Sequence, residues 1–143
     1  MEPRHWREVG GLVLPQAVAG HPALELVNTL SGWSGDHASD YLATYDHLLA
    51  LTTDLGLVPT GDAPSLSARA ADDPRGATRV LDDARHLRIA LRAAALAPTD
   101  RETLTAVSDR ARRARTAADR NSSASPSRAL RRPMRSRSPG GAG

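Results

Sequence analysis

The sequence predicts a mainly α fold: a small helical domain with a short N-terminal strand or hairpin, followed by a disordered Arg/Ser-rich tail. Three observations carry that expectation. Val and Ile together number 8 in 143 residues and Phe, Tyr and Trp only 4, too few β-branched and aromatic side chains for a sandwich or barrel. Leucines recur at spacings of three and four inside stretches bounded by Ser, Thr, Pro and Gly, the pattern of amphipathic helices. Residues 121–143 hold 6 Ser, 5 Arg, 3 Pro and 3 Gly with only Leu130 and Met134 as large apolar side chains, too little to offset the entropy of ordering. The domain is therefore expected over residues 9–120 and the tail over 121–143.

In chain order, Leu12-Val13-Leu14 is a strand candidate. A first helix follows Gly20-His21, with Pro22 in its first turn, and runs to Leu30 before Ser31-Gly32; Leu24, Val27 and Leu30 share one face, and a strand for part of the stretch stays open. A second is expected from an N-cap at Ser39 to a C-terminal Gly56, with Tyr41, Leu42, Tyr45, Leu48, Leu49, Thr52 and Leu55 facing the core. Residues 59–76, with three Pro and two Gly, read as a loop. A third helix spans Thr78 to Ala97, stopped by Pro98, with Val80, Ala84, Leu87, Leu91 and Ala94 or Ala95 inward and the pairs Arg79–Asp83 and Asp82–Arg85 outside. The fourth starts at a capping box, Thr99-Asp100-Arg101-Glu102, and turns Leu104, Val107, Ala111, Ala114 and Ala118 inward. Beyond Val107 that face is only alanine, so its packing weakens towards Arg120.

The net charge of +3 is unevenly spread: residues 1–100 carry 8 Arg against 13 acids, residues 101–143 carry 11 Arg against 3. An acidic body with a basic end suits phosphate contact by counterion release or a merely solvated tail. With no aromatic among the tail arginines, Arg128, Arg131, Arg132, Arg135 and Arg137 are candidates only for non-specific nucleic-acid contact. Arg110, Arg112, Arg113 and Arg115 wrap the fourth helix instead of lining one face, which reads as a solvated helix end before it reads as phosphate contact. Zero cysteine excludes thiolate chemistry, disulfides and a cysteine-ligated zinc finger within these residues. No stretch approaches the apolar length that spans a bilayer, and the short apolar segment Val9 to Ala19 is broken by Pro15 and Gln16; a cytoplasmic chain is expected.

Candidate chemistry is sparse. Asp36, His37, Asp40, Asp46 and His47 form a short run of oxygen and nitrogen donors, but without a zinc-binding spacing; no metal, no cofactor and no enzymatic activity are expected. No Gly-x-Ser-x-Gly elbow or phosphate loop occurs. Glu25 and Asn28 share a helical face, and their expected role is to tie the adjacent loop through its backbone amides. His21 reads as a turn residue.

The run Gly20-His21-Pro22-Ala23-Leu24-Glu25-Leu26-Val27-Asn28-Thr29-Leu30 resembles the opening signature of the ABATE domain. Asp40-Tyr41-Leu42 with Asp46-His47-Leu48-Leu49, ending in Gly56-Leu57, is similar to that family's second segment, and His86-Leu87-Arg88-Ile89-Ala90-Leu91-Arg92 to its Leu-Arg-x-Ala-Leu-Arg helix. The resemblance marks Gly20, His21, Leu24, Glu25, Asn28 and Thr29 as signature positions of unassigned role. It implies the N-terminal, sensing or regulatory domain of a stress-induced transcriptional regulator, with a small-molecule effector and a homodimer as candidate partners. In that family a zinc finger ending in Cys-Gly-Asn-Arg (CGNR) follows, and it has no counterpart here. Two origins of the basic tail stay open, a truncated or out-of-frame end and an authentic interaction segment. The alternatives to a regulatory domain are a small-molecule-binding module and a metal-dependent enzyme using His37, Asp40 and His47.

Overall fold

A computed structural model describes residues 5–33, 35 and 38–123. Two strands, β1 (Trp6–Val9) and β2 (Leu12–Pro15), pair antiparallel in the register Trp6↔Pro15 to Val9↔Leu12. The two-residue connection is Gly10-Gly11, with φ of 58° and 80°. Both angles lie where only glycine rests without strain, and such a turn matches the twist of the strands it joins. The strand expected at Leu12-Val13-Leu14 is thus the second arm of a hairpin, and it lays Leu14, fully buried, on the core.

Helix α1 (Pro22–Asn28) is shorter than expected, because Leu30–Ser31 form β3 and pair with β4 (Ser39–Asp40). Ser39 is consequently no N-cap. The Asp40 carboxylate accepts the Leu42 N–H at 2.9 Å, a local turn that competes with helix, and α2 (Tyr45–Asp54) begins only after Thr44. Its end is as expected. Gly56, with φ 70°, donates to the Thr53 carbonyl at 3.0 Å while Leu57 donates to Thr52 at 2.9 Å, the paired bonds of a Schellman cap.

The stretch expected as a loop is mostly helix: a 3-10 turn (Thr60–Asp62), α3 (Ala63–Asp72) and the first turn of α4 (Pro74–Leu96). Proline misled the expectation. Pro64 and Pro74 sit in the first turns of α3 and α4, where the missing N–H costs nothing, and the Asp73 carboxylate caps α4 by accepting the Gly76 N–H at 2.9 Å. Helix α5 runs Arg101–Ser123. Asp100, not Thr99, caps it, accepting the Glu102 N–H at 3.0 Å, and it passes the boundary expected at Arg120 by three residues. The tail beyond Ser123, with its five arginines, lies outside the described residues.

Leu14, Leu42, Leu48, Leu51 and Leu81 form the core, with Val9, Leu26, Ala50, Leu55 and Ala84 packed around them. Helix α4 is the backbone of this arrangement, touching α1, α2 and α3. Its inner face is Leu81, Ala84 and Arg88, whereas Val80 is 51% exposed. The expected stripe was rotated because it assumed that an arginine must face water. Arg7 on β1 fastens the hairpin to the end of α2 through Asp54 and also donates to the Pro15 carbonyl at 3.1 Å. The Arg7–Asp54 hydrogen bond raises Arg7 above its ordinary pKa against the opposing effect of burial, and it holds the Asp54 carboxyl below the usual carboxylate range.

The described residues fall into two compact units divided between Arg110 and Ala111. The second contains the last turns of α5.

Candidate functional site

The signature residues first act on the backbone around α1. His21 occupies the N-cap position with extended backbone, and its Nδ1 accepts the Ala23 N–H at 3.2 Å. Pro22 follows at the first helical position, so the helix start is set by two adjacent residues. Glu25 is only 4% exposed, and its Oε1 accepts the N–H of Ala19 at 2.7 Å and of Gly20 at 3.0 Å. A buried carboxylate is tolerated when backbone donors satisfy it, so Glu25 clamps the loop from the hairpin as expected. Asn28 is half-buried at the last position of α1. Leu24, expected inward, is 44% exposed, because the buried face of this short helix runs through Glu25, Leu26 and Thr29.

Thr29 links this clamp to the centre of the molecule. It is fully buried, donates from Oγ1 to the Leu26 carbonyl at 2.6 Å and accepts from Arg88 Nη1 at 3.0 Å. Arg88 is 3% exposed and meets Asp40 with both ends of its fork, Nη1 to Oδ1 at 2.7 Å and Nη2 to Oδ2 at 2.8 Å. The short β3–β4 ladder, extended by the bond from Tyr41 N–H to the Thr29 carbonyl at 2.8 Å, carries Asp40 to this position. Arg85, one turn earlier on α4, donates to the Leu42 carbonyl at 2.7 Å and 3.1 Å, to the Ala43 carbonyl at 3.2 Å and to Asp82 at 3.2 Å. One turn later, Arg92 stacks its guanidinium 4.6 Å from the centre of the Trp33 ring.

Burial pushes the Asp40 carboxyl up, but the Arg88 bonds, the Leu42 N–H and the charges of Arg88 and Arg85 outweigh it and hold Asp40 below the usual carboxylate range. Both Asp40 oxygens are taken by Arg88. His47 places its Nδ1 2.8 Å from Thr44 Oγ1, and His37 and Asp36 lie outside the described residues. Among the described residues no three His, Asp or Glu side chains are grouped to hold a metal ion, and no helix is long and apolar enough to cross a membrane.

The contact that joins Arg88 to Asp40 and Thr29 was not foreseen in the sequence, where Thr29 was marked as a signature position, Asp40 and Arg88 stood within the family-like segments, and Asp40 was otherwise read as a donor beside histidines. The available signal was the spacing of Arg85, Arg88 and Arg92, three and four apart on one face of α4. Of the expected surface pairs, Asp82–Arg85 forms, while Arg79 lies 3.9 Å from Asp73 instead of pairing with Asp83.

The fold and this hub define a small helical domain whose central charges hold three segments of chain together. The family follows from comparison: the model of the ABATE domain, described as "Putative stress-induced transcription regulator", matches residues 20–137, and the chain belongs to that family. No curated protein and no solved structure matches it.

Proposed function

We propose that this chain is the sensing or regulatory domain of a stress-responsive transcription regulator, acting by binding and not by catalysis. The observation that carries the reading is the family match over residues 20–137. Two features support it. Asp40, the carboxylate of the metal-dependent alternative, is engaged on both oxygens by Arg88, and a domain tied together by one hub suits an effector-responsive scaffold. No thiolate zinc finger of the CGNR kind exists in these 143 residues, so sequence-selective DNA reading is assigned elsewhere in the regulatory system. Any nucleic-acid contact made by this chain is non-specific and comes from Arg128, Arg131, Arg132, Arg135 and Arg137.

The test compares the full chain with a version ending at Ser123, which loses five arginines and no acid and moves from a net charge of +3 to −2. The full chain should retard unrelated DNA duplexes equally and lose them between roughly 50 and 200 mM salt. The shortened chain should retard none while keeping its helical signal and cooperative melting. Sequence-selective binding that survives the truncation would make the body itself the reader and end the regulatory assignment. Transcript profiles that are identical under stress with and without the gene would end the regulator assignment altogether.

A further inference from the structure

Arg85, Arg88 and Arg92 lie three and four apart on one face of α4, and they differ in what they meet. Arg85 pairs with Asp82 at 3.2 Å and lies 3.8 Å from Asp40, while Arg88 takes both oxygens of Asp40. Arg92 is half-buried and has no carboxylate partner among the described residues; what it touches is the Trp33 ring, 4.6 Å from its guanidinium carbon. Along this row three positive charges therefore meet two negative ones, and the uncompensated charge is at Arg92.

A guanidinium is flat, and all five of its N–H donors point outward in its own plane. With one face on the indole, Arg92 has given up rotamer freedom while none of those donors is used by a described residue. The result is a fork held still with its bonding edge open. Such a fork matches the two oxygens of a carboxylate through parallel hydrogen bonds, and holding it in advance lowers the entropy that binding costs. Charge sets the limit on the ligand. One uncompensated positive charge suits a single negative one, and residues 1–100, with 8 Arg against 13 acids, disfavour a dianion such as a phosphate monoester. The open part of the half-buried indole offers aromatic surface beside the fork to the body of the ligand.

The place of the pair in the chain ties it to the hub. Trp33 stands four residues after Thr29 with β3 between them, so Arg88 holds one end of this segment through Thr29 and Arg92 holds the other through Trp33. The Gly35 N–H donates to the Gly32 carbonyl at 3.1 Å and closes the turn that contains Trp33. A ligand on Arg92 thus engages the segment that the hub holds. We propose that Arg92 and Trp33 bind the carboxylate of a small aromatic monocarboxylic acid, the effector of the regulatory reading on which the biological sense of this site rests.

The chain has two tryptophans, so two indole N–H signals appear in a proton–nitrogen correlation spectrum, and Trp6→Phe identifies the one from Trp33. Benzoate added to the full chain should shift the Trp33 signal saturably and leave that of Trp6 in place, whereas benzamide, its neutral analogue, and inorganic phosphate should not. Arg92→Gln should weaken benzoate binding about ten- to a hundredfold, the range for lost hydrogen bonds to a charged group. Arg92→Lys should recover part of that loss, and both variants should melt within a few degrees of the unaltered chain. A Trp33 signal that benzoate does not shift saturably overturns the proposal. So does an equal response to benzamide or to phosphate, or an Arg92→Gln chain that binds benzoate as tightly as the unaltered one. Transcripts indifferent to stress would end the regulator assignment and leave the benzoate shift standing, so the two readings fail separately.

Discussion

Removing Asp40 should destabilise the protein more than removing Arg88, although each substitution breaks the same ion pair. Asp40→Ala leaves the Arg88 guanidinium 3% exposed, with Thr29 Oγ1 at 3.0 Å as its remaining partner. An uncompensated buried charge of this kind costs about 3–5 kcal/mol. Arg88→Met leaves Asp40 in better circumstances. Its side chain is 35% exposed and Arg85 stays 3.8 Å away, while the Leu42 N–H still donates to it, so water and these partners compensate it. The substitution also removes Arg88 Nε, a buried donor with no hydrogen-bond partner among the described residues. The expected cost is about 1–3 kcal/mol, that of lost hydrogen bonds at a site water can reach. Against a total stability on the order of 5–15 kcal/mol for a domain of this size, the difference is readily measured by urea unfolding followed by far-UV circular dichroism. The double substitution should be more stable than Asp40→Ala alone, since it leaves no buried charge. Equal costs for the two single variants, or a double variant at the sum of both, would show that Arg88 is hydrated and that the hub does not bind these segments.

Because the folded pKa values of Asp40 and Asp54 are both lowered, their contribution is complete above the unfolded value and is lost as pH falls through the folded one; the urea midpoint should be flat from neutral pH to about 5 and fall below about 4. A midpoint already falling between pH 7 and 5 would refute that assignment. Leu48→Asp, at a position 8% exposed, should cost several kcal/mol, roughly 3 or more, by burying an unpaired charge, while Val80→Asp should change the melting temperature little; the reverse order would place the inner face of α4 elsewhere. Elemental analysis after dialysis should find no stoichiometric zinc, and one tightly held ion per chain would overturn the metal-free reading.

What the sequence revealed and what it concealed divide along one physical line. Apolar periodicity marked α1, α2, α4 and α5, and Gly56 marked the end of α2, because these signals act within a turn or two of the chain. The start of α2 was hidden by a partner 48 residues away, for Arg88 takes the Asp40 carboxylate and keeps Ser39 and Asp40 in a strand. The same long-range bond hid the register of α4. An arginine among leucines reads as the outer face until its carboxylate is known, and in this protein the carboxylate lies in another segment. The helix in 63–72 was hidden for a different reason: proline punctuates loops and opens helices alike, and only the Asp73 cap at Gly76 distinguishes the two for α4.

The signature near α1 was legible as a motif but silent about its purpose, and its geometry now limits where function can reside. Glu25 holds the backbone of Ala19 and Gly20, and Thr29 ties α1 to Arg88, so these residues hold the entry loop, the β3–β4 ladder and α4 in one arrangement. An effector that drew Arg88 away from Asp40 would release all three segments, whereas one bound at an outer surface would leave them joined. A regulatory domain needs an internal element that can be biased and an outer face that reports the bias to a partner. Helix α4 contains both, with Arg88 on its inner side and Leu87 and Leu91 one position around from it. A signal at the hub therefore has to travel only across the width of one helix to reach the outer side of α4, where Ile89 is 51% exposed.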